Sequence, residues 1–340
     1  MTHPSTLAAL LGAALLAGAS QNVSAQNILI NGVGATFPYP IYSKWAFEYR
    51  KVDPTVGINY QSQGSGAGQK SILDRTADFG ASDGPMSDAD LAKAPGKILH
   101  IPTVAGADVL TYNLPNNPKL QLDGATVAEI FLGKINRWND PKIAAQNPGV
   151  TLPASAIAVV HRSDGSGTTY IFVDYLSSVS KDWETIVGRG TAVKWPAGLG
   201  AKGNEGVTEQ VKQTTGSIGY VELVYAVQQK LPYASIKNSS GNYIVPSIES
   251  VAAALDSAQI PEDFRFSMVN PPGAQSYPIA GTTWLLVYQK QTNPEKGKKL
   301  VEFLKWAETK GQAMAPALNY AALPAPLSER VLKEIDSITF

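Results

Sequence analysis

Cysteine is absent from the 340 residues of this chain, which removes disulfides, thiol nucleophiles, cysteine zinc sites and thiol redox chemistry together. Histidine is scarce: His3, His100 and His161 are too few to build a histidine metal cluster. An excess of charge of either sign is missing too. Lys+Arg and Asp+Glu both number 28, so nothing draws the chain to nucleic acid or to an anionic membrane surface. The apolar stretch from Leu7 to Ala19 has 13 residues, short of the roughly 20 that a bilayer crossing requires. No later segment approaches that length, so membrane insertion is not expected. Tandem repeats, low-complexity tracts and long charged runs are lacking as well, and no linker-joined modules are indicated.

What is present begins with that short apolar stretch. It is followed by Val23-Ser24-Ala25, a small-x-small signal before Gln26, which reads as a secretory signal peptide cleaved near Ala25. The flank is unusual in having no Lys or Arg, the first charged side chain being Lys44. Without a cysteine at the cleavage point a lipid anchor is not expected, which favours a periplasmic or extracellular protein. The composition, 44% apolar and 16% charged, is that of a globular protein with material for two cores.

Beyond residue 26 strand-like and helix-like stretches alternate, the pattern of an α/β fold. Asn27 to Ile30 is an apolar run stopped by Asn31-Gly32, with a helix opened by Pro38 running to Tyr49. Tyr60 to Gly64 leads through glycines into a helix carrying Ile72 and Leu73, and Ile157 to Val160 leads through another glycine turn into a third helix. In that helix Ile171, Phe172, Tyr175, Leu176 and Val179 mark one buried face. Leu300, Phe303, Leu304 and Ala307 form a similar stripe, and Leu327, Val331 and Ile335 another. The extended stretches Ile101–Asn113 and Phe264–Ile279 are candidate crossings between two lobes.

The chemistry gathers in the turns that open the helices. A helix start presents unpaired N–H groups and the positive end of the helix dipole, so an anion is held there without a cationic side chain. Gly32 to Phe37, Gly64-Ser65-Gly66 and Asp164 to Thr168 each pair small residues with a hydroxyl at such a start. One alone is most simply an N-cap. Three, with Arg162 beside the last, suggest convergence on one oxyanion.

Competing motifs fall short. Gly64 to Ser71 resembles a Walker A loop, but Gln69 occupies the required second glycine. The turn Gly32 to Phe37 lacks the third glycine of a dinucleotide fingerprint, because Phe37 stands there. His161 could serve a serine hydrolase as base, yet there is no G-x-S-x-G elbow. Trp138, Trp195 and Trp284 read as packing residues, and Glu129 and Asp140 as solvated surface. The glycine-rich run Gly198 to Gly203 leads into a helix expected to be capped by Asn204. Asp83, in Ser-Asp-Gly-Pro, is on local grounds a turn cap.

Taken together, Gly34-Ala35-Thr36-Phe37-Pro38, Gly80-Ala81-Ser82-Asp83, Leu132 to Ile135, Asp164 to Thr168, Lys194-Trp195-Pro196, Lys202-Gly203-Asn204 and Gly216 to Glu222 resemble the periplasmic phosphate-binding protein of the phosphate-specific ABC transporter, across essentially the whole mature chain. The resemblance implies an α/β, two-lobed periplasmic-binding-protein (type II) fold, each lobe a central sheet flanked by helices. Residues 1–25 are then a signal peptide, 26–105 with 270–340 a discontinuous first lobe, and 106–269 the second. It implies a monomer, without cofactor, that captures inorganic phosphate in the interlobe cleft and delivers it to permease subunits of an ABC importer, not an enzyme.

The same resemblance places Thr36, Phe37 and Ser65 on phosphate from the first lobe, with Asp83 as an acceptor. From the second lobe it places Arg162, Ser166, Gly167 and Thr168, with Asp164 holding the arginine. A carboxylate facing an anion is repulsive unless the anion brings a proton, so Asp83 would select phosphate over sulfate. His161 departs from the family, which often has a second arginine there. The alternatives left open are another tetrahedral oxyanion, such as sulfate or arsenate, and a secreted phosphatase on the same fold.

Overall fold

Apolar runs broken by glycine turns become strands, and the amphipathic stretches between them become helices that cover both faces of the sheet. The structure, a computed structural model, describes residues 28–340; the expected signal peptide and Asn27 lie outside the described residues. The chain runs β1 (Ile28–Gly34), α1 (Tyr39–Val52), β2 (Val56–Ser62), α2 (Ser65–Leu73), β3 (Phe79–Ser82), α3 (Asp88–Leu91), β4 (Ile98–Tyr112), β5 (Gln121–Leu122), α4 (Gly124–Phe131), α5 (Pro141–Gln146), β6 (Ala158–Arg162), α6 (Gly167–Val179) and α7 (Lys181–Ile186). It continues as β7 (Leu199–Ala201), α8 (Gly203–Gln213), β8 (Ser217–Glu222), α9 (Leu223–Gln228), β9 (Ser235–Lys237), β10 (Tyr243–Ile244), α10 (Ile248–Asp256), β11 (Met268–Val269), β12 (Ile279–Tyr288), α11 (Pro294–Trp306), β13 (Ala321–Ala322) and α12 (Ala325–Asp336).

The main sheet has the order β2-β1-β3-β12-β4-β8-β6-β7, and β4 is its pivot. Through Ala107 it pairs antiparallel with β12, and from Asp108 onward it pairs antiparallel with β8. One half-sheet therefore contains the parallel strands β1, β2 and β3, the other the parallel strands β6, β7 and β8. Every residue of β4, β8 and β12 is buried, as expected for strands covered on both faces. Pro102 interrupts the ladder, since it has no N–H to donate, and the register shifts opposite it between Thr283 and Trp284. That irregularity falls at Thr283 and sets its place in the strand. The Phe264–Ile279 stretch folds back as β11 against the start of β12.

Two sequence expectations need correcting. The first strand does not stop at Asn31-Gly32 but continues to Gly34. It is held on both sides, by β2 and β3, and Gly32 lies so close beneath the Phe79 ring that a Cβ there would sit 2.0 Å from it. The first helix runs past Tyr49 to Val52, with Pro38 just before its first residue. The expected stripes are buried: Ile171, Phe172, Tyr175 and Leu176 on α6, Leu300, Phe303 and Leu304 on α11, and Leu327, Val331 and Ile335 on α12. Phe172 sits between Phe131 and Tyr220, with ring centroids 4.7 Å and 4.4 Å away. Trp138 and Trp284 are buried, each donating its indole N–H to a carbonyl, of Gly216 and Phe264. Asp140 caps α5, and Glu129 pairs with the exposed Lys142.

Candidate anion-binding site

Three helix starts meet where the two half-sheets face each other. Those of α1 and α2 follow the C-terminal ends of parallel strands β1 and β2, and that of α6 follows β6. The C-terminal edge of parallel strands is where α/β sheets bind ligands. Gly64, with φ of 98°, turns the chain before α2 so tightly against Asp164 that a Cβ would meet its carboxylate at 2.3 Å. Two residues on, the Gly66 amide donates to the Gly165 carbonyl at 2.9 Å. The glycine turns of α2 and α6 are thus in direct contact.

Ser65 and Asp83 form the centre of this contact. The Ser65 hydroxyl accepts from the Asp83 amide at 3.1 Å and from the Gly167 amide at 2.9 Å. Two N–H donors occupy both of its lone pairs, which leaves its own proton to donate. The Asp83 carboxyl is not used to cap its own turn, which the Ser82 hydroxyl closes on Gly84. Instead Oδ1 accepts from the Thr283 hydroxyl at 2.7 Å, and Oδ2 lies 3.4 Å from the Ser65 hydroxyl. Burial pushes Asp83 up to about 7, while Thr283, the Arg162 charge and Ser65 pull the other way.

Arg162 is the buried cation. Its Nε and Nη2 bind the two Asp164 carboxylate oxygens at 2.8 and 2.5 Å, and Nη1 reaches Thr168 Oγ1 at 3.2 Å. Burial works against the guanidinium charge, but the Asp164 carboxylate more than offsets it and the net shift is upward. Asp164 is lowered in turn: burial opposes its charge, and Arg162 together with the Gly203 amide outweighs that.

The backbone of the first turn is aimed by residues that sequence reasoning did not single out. Tyr225 donates to the Thr36 carbonyl at 2.5 Å, Tyr320 to the Phe37 carbonyl at 2.6 Å and Tyr60 to the Ala35 carbonyl at 2.6 Å. In a trans peptide C=O and N–H point in opposite directions. Fixing the Ala35 and Thr36 carbonyls therefore turns the Thr36 and Phe37 amides the other way. The Phe37 ring packs beneath Gly106 and near Tyr320, so only its backbone is available for an anion. The amides of Phe37 and Thr168 make no hydrogen bond to another described residue.

Ser166 serves as the N-cap of α6, its hydroxyl accepting from the Thr169 amide at 3.0 Å. Asn204 is not a cap: α8 begins at Gly203 after Lys202, and the Asn204 side chain turns inward with no exposure. It bonds both Thr36 and Thr168, at 2.8 and 3.1 Å. Among the described residues His161 makes no hydrogen bond to a serine; its Nδ1 lies 3.0 Å from the Arg162 carbonyl. Its ring stacks on Trp195 at 4.8 Å, and burial holds it below its usual value. Sequence could not have shown the tyrosines, which come from distant elements; Asn204 was visible as an expected helix cap and in the Lys202-Gly203-Asn204 motif, neither of which signals its inward turn.

The model of the PBP superfamily domain matches residues 17–309. The phosphate-binding protein PstS of Haemophilus influenzae is 46% identical, covering 88% of this chain and 90% of its own length. That of Methanocaldococcus jannaschii is 39% identical over 94% of this chain and 88% of its own. The chain belongs to the PstS family of phosphate-binding proteins. The fold agrees with that membership. A solved structure, the high affinity periplasmic phosphate-binding protein PfluDING bound with phosphate, superposes with a TM-score of 0.72 at 21% identity, covering 89% of this chain and 93% of that one. The phosphate-binding protein from Stenotrophomonas maltophilia superposes at 0.69, also at 21% identity, over 90% and 93%. This PstS-family chain thus has the two-lobed α/β architecture, and among its described residues no helix is long and apolar enough to cross a membrane.

Proposed function

We propose that this chain is an exported receptor that grips one inorganic phosphate ion between two lobes and delivers it to the permease of an ABC importer. The observation that carries the reading is the buried triangle of Ser65, Asp83 and Gly167, in which a hydroxyl, a carboxyl and a helix-start amide from three segments meet within hydrogen-bonding distance. Around it the Thr36, Phe37 and Thr168 amides, the Ser65 and Ser166 hydroxyls and Arg162 supply donors to oxyanion oxygens, while the Ser166 and Gly167 amides are committed to the Thr191 carbonyl and the Ser65 hydroxyl. Asp83 supplies the acceptor, which suits an oxyanion that keeps a proton near neutral pH. Membership in a family named for phosphate binding supports the same ligand.

The first lobe comprises 26–105 with 270–340 and the second 106–269; the change of β4 partner at Asp108 supports a boundary there. The signal peptide ends near Ala25, the mature protein is periplasmic, and it acts as a monomeric receptor without a catalytic step or cofactor. A competition titration of phosphate, arsenate and sulfate against phosphate-stripped protein across pH tests the reading. Phosphate should bind with 1:1 stoichiometry and far ahead of sulfate; equal binding of sulfate would overturn it, and release of phosphate from an aryl phosphate would point to an enzyme instead.

A further inference from the structure

Asn204 holds two hydroxyl groups of the proposed site at once. Its Nδ2 donates to Thr36 Oγ1 at 2.8 Å and to Thr168 Oγ1 at 3.1 Å, and its backbone amide also donates to Thr36 Oγ1 at 3.2 Å. Its Oδ1 accepts from the Glu222 backbone amide at 3.0 Å. A main-chain N–H can only donate, so this last bond fixes which end of the side-chain amide is oxygen, and the nitrogen must face the threonines.

The polarity of both hydroxyls follows. A hydroxyl has one proton and two lone pairs. Thr36 Oγ1 receives two N–H groups, both from Asn204; Thr168 Oγ1 receives one from Asn204 and one from Arg162 Nη1. Neither residue's hydroxyl donates to another described residue in the hydrogen-bond network. With both lone pairs taken, each proton is left to point away from Asn204.

We propose that Asn204 is a specificity-determining positioning residue: by saturating the acceptor capacity of Thr36 and Thr168 it makes both hydroxyls obligate donors, so that this face of the site accepts only unprotonated oxygens. Asp83, on the other side, takes the proton-bearing oxygen. The inference rests on the site reading given above and deepens it, since it assigns donor and acceptor faces rather than listing contacts. It also explains why a buried, uncharged amide lies beside Arg162 and Asp164: a carboxylate there would reverse both hydroxyls.

The test uses calorimetric titration of inorganic phosphate into phosphate-stripped wild-type protein and the variants Asn204→Asp, Asn204→Ala and Arg162→Met. The aspartate is nearly isosteric but accepts from both hydroxyls, withdrawing two donors and adding a negative charge, so affinity should fall by about a hundredfold or more near neutral pH. Asn204→Ala removes the constraint without reversing it and should lose about tenfold. The Asn204→Asp deficit, measured against wild type at each pH, should shrink as pH falls, because a protonated carboxyl can again donate; a merely structural role would show no such recovery. Equal, pH-independent losses in the two variants, or wild-type affinity in Asn204→Asp, would overturn the proposal. If Arg162→Met abolishes binding while Asn204→Asp does not weaken it, the polarity assignment alone falls; if neither variant weakens binding, the site reading falls with it. Should Asn204→Asp fail to fold, a double-mutant cycle between Asn204→Ala and Thr168→Val decides: their effects on phosphate affinity should be coupled by at least about threefold, and independent effects would refute it.

Discussion

Asp108 and Glu222 are paired across β4 and β8 at the point where β4 exchanges one half-sheet for the other. Directly paired residues of an antiparallel ladder lie on the same face, so two carboxyl groups meet at the pivot of the fold. Both are buried; among the described residues neither Asp108 oxygen has a hydrogen-bond partner, and of the Glu222 oxygens only Oε2 does, accepting from the Val224 amide. Burial raises both well above the usual carboxylate range, and the negative charge of Asp83 adds to it. Arg162 pulls Asp108 the other way. Each therefore keeps its proton to higher pH in the folded chain than in the unfolded one.

The sign of the pH effect follows. A carboxyl whose folded value is raised binds more protons in the native state, so its contribution is full below the ordinary carboxylate range and is lost as pH rises through and above it. Replacing Asp108 by Asn removes that titration. In phosphate-free thermal scans the melting temperature of Asp108→Asn, relative to wild type, should climb as pH rises above the ordinary carboxylate range, each pH unit below the raised folded value being worth up to about 1.4 kcal/mol. A difference that stays constant with pH would show that Asp108 is ionised in the native chain.

Asp83 leads to a second expectation. The register shift opposite Pro102 sets Thr283, and Thr283 in turn holds Asp83 Oδ1 at 2.7 Å, leaving Oδ2 toward Ser65 and the helix starts. Asp83→Asn exchanges a pure acceptor for a group that can also donate. Phosphate affinity should fall about tenfold and the preference over sulfate should narrow by more, as one hydrogen bond to a charged group is worth about 1.5–3 kcal/mol. Parallel calorimetric titrations of the two anions read this directly, and unchanged selectivity would remove Asp83 from the role.

Core packing supplies a third. Phe172 is fully buried on α6 between Phe131 and Tyr220. Phe172→Ala should cost about 3–5 kcal/mol, measured by urea unfolding without phosphate. A loss under about 1 kcal/mol would mean that the neighbouring helices collapse into the space.

Much of this was legible in the sequence because it is local. A glycine turn, a hydroxyl and an amphipathic stripe lie within a dozen residues of one another, so the helix starts at Ser65 and Gly167 and the buried face of α6 follow from spacing alone. What was not legible depends on pairing between distant segments. Asn31-Gly32 reads as a stop, yet β2 and β3 hold the strand open through it. Asn204 reads as a cap, yet Thr36, 168 residues away, draws it inward. Tyr225 and Tyr320 carry no local mark of aiming the first turn, and nothing near Asp108 signals that Glu222 will be placed opposite it.

A tight approach between the two halves of the site, Gly167 against Asp83, makes the final prediction. A Cβ on Gly167 would lie 2.5 Å from Asp83 Cβ and 2.6 Å from its amide nitrogen, distances that demand movement of backbone. Gly167 begins α6 with ordinary helical geometry, so alanine is acceptable to the helix itself and the penalty arises only against Asp83. Gly66 is a milder case, its Cβ meeting Gly165 Cα at 3.1 Å. If phosphate is bound by bringing these segments together, alanine should oppose the closed form while sparing the open one. Gly167→Ala should then lower phosphate affinity by a hundredfold or more, about 2.7 kcal/mol, and abolish most of the phosphate-induced rise in melting temperature. Gly66→Ala should fall between it and wild type, and both ligand-free proteins should melt within about 3 °C of wild type, equivalent to less than about 1 kcal/mol for a chain of this size. Wild-type affinity in Gly167→Ala would show that the contact between Gly167 and Asp83 is not part of the bound state.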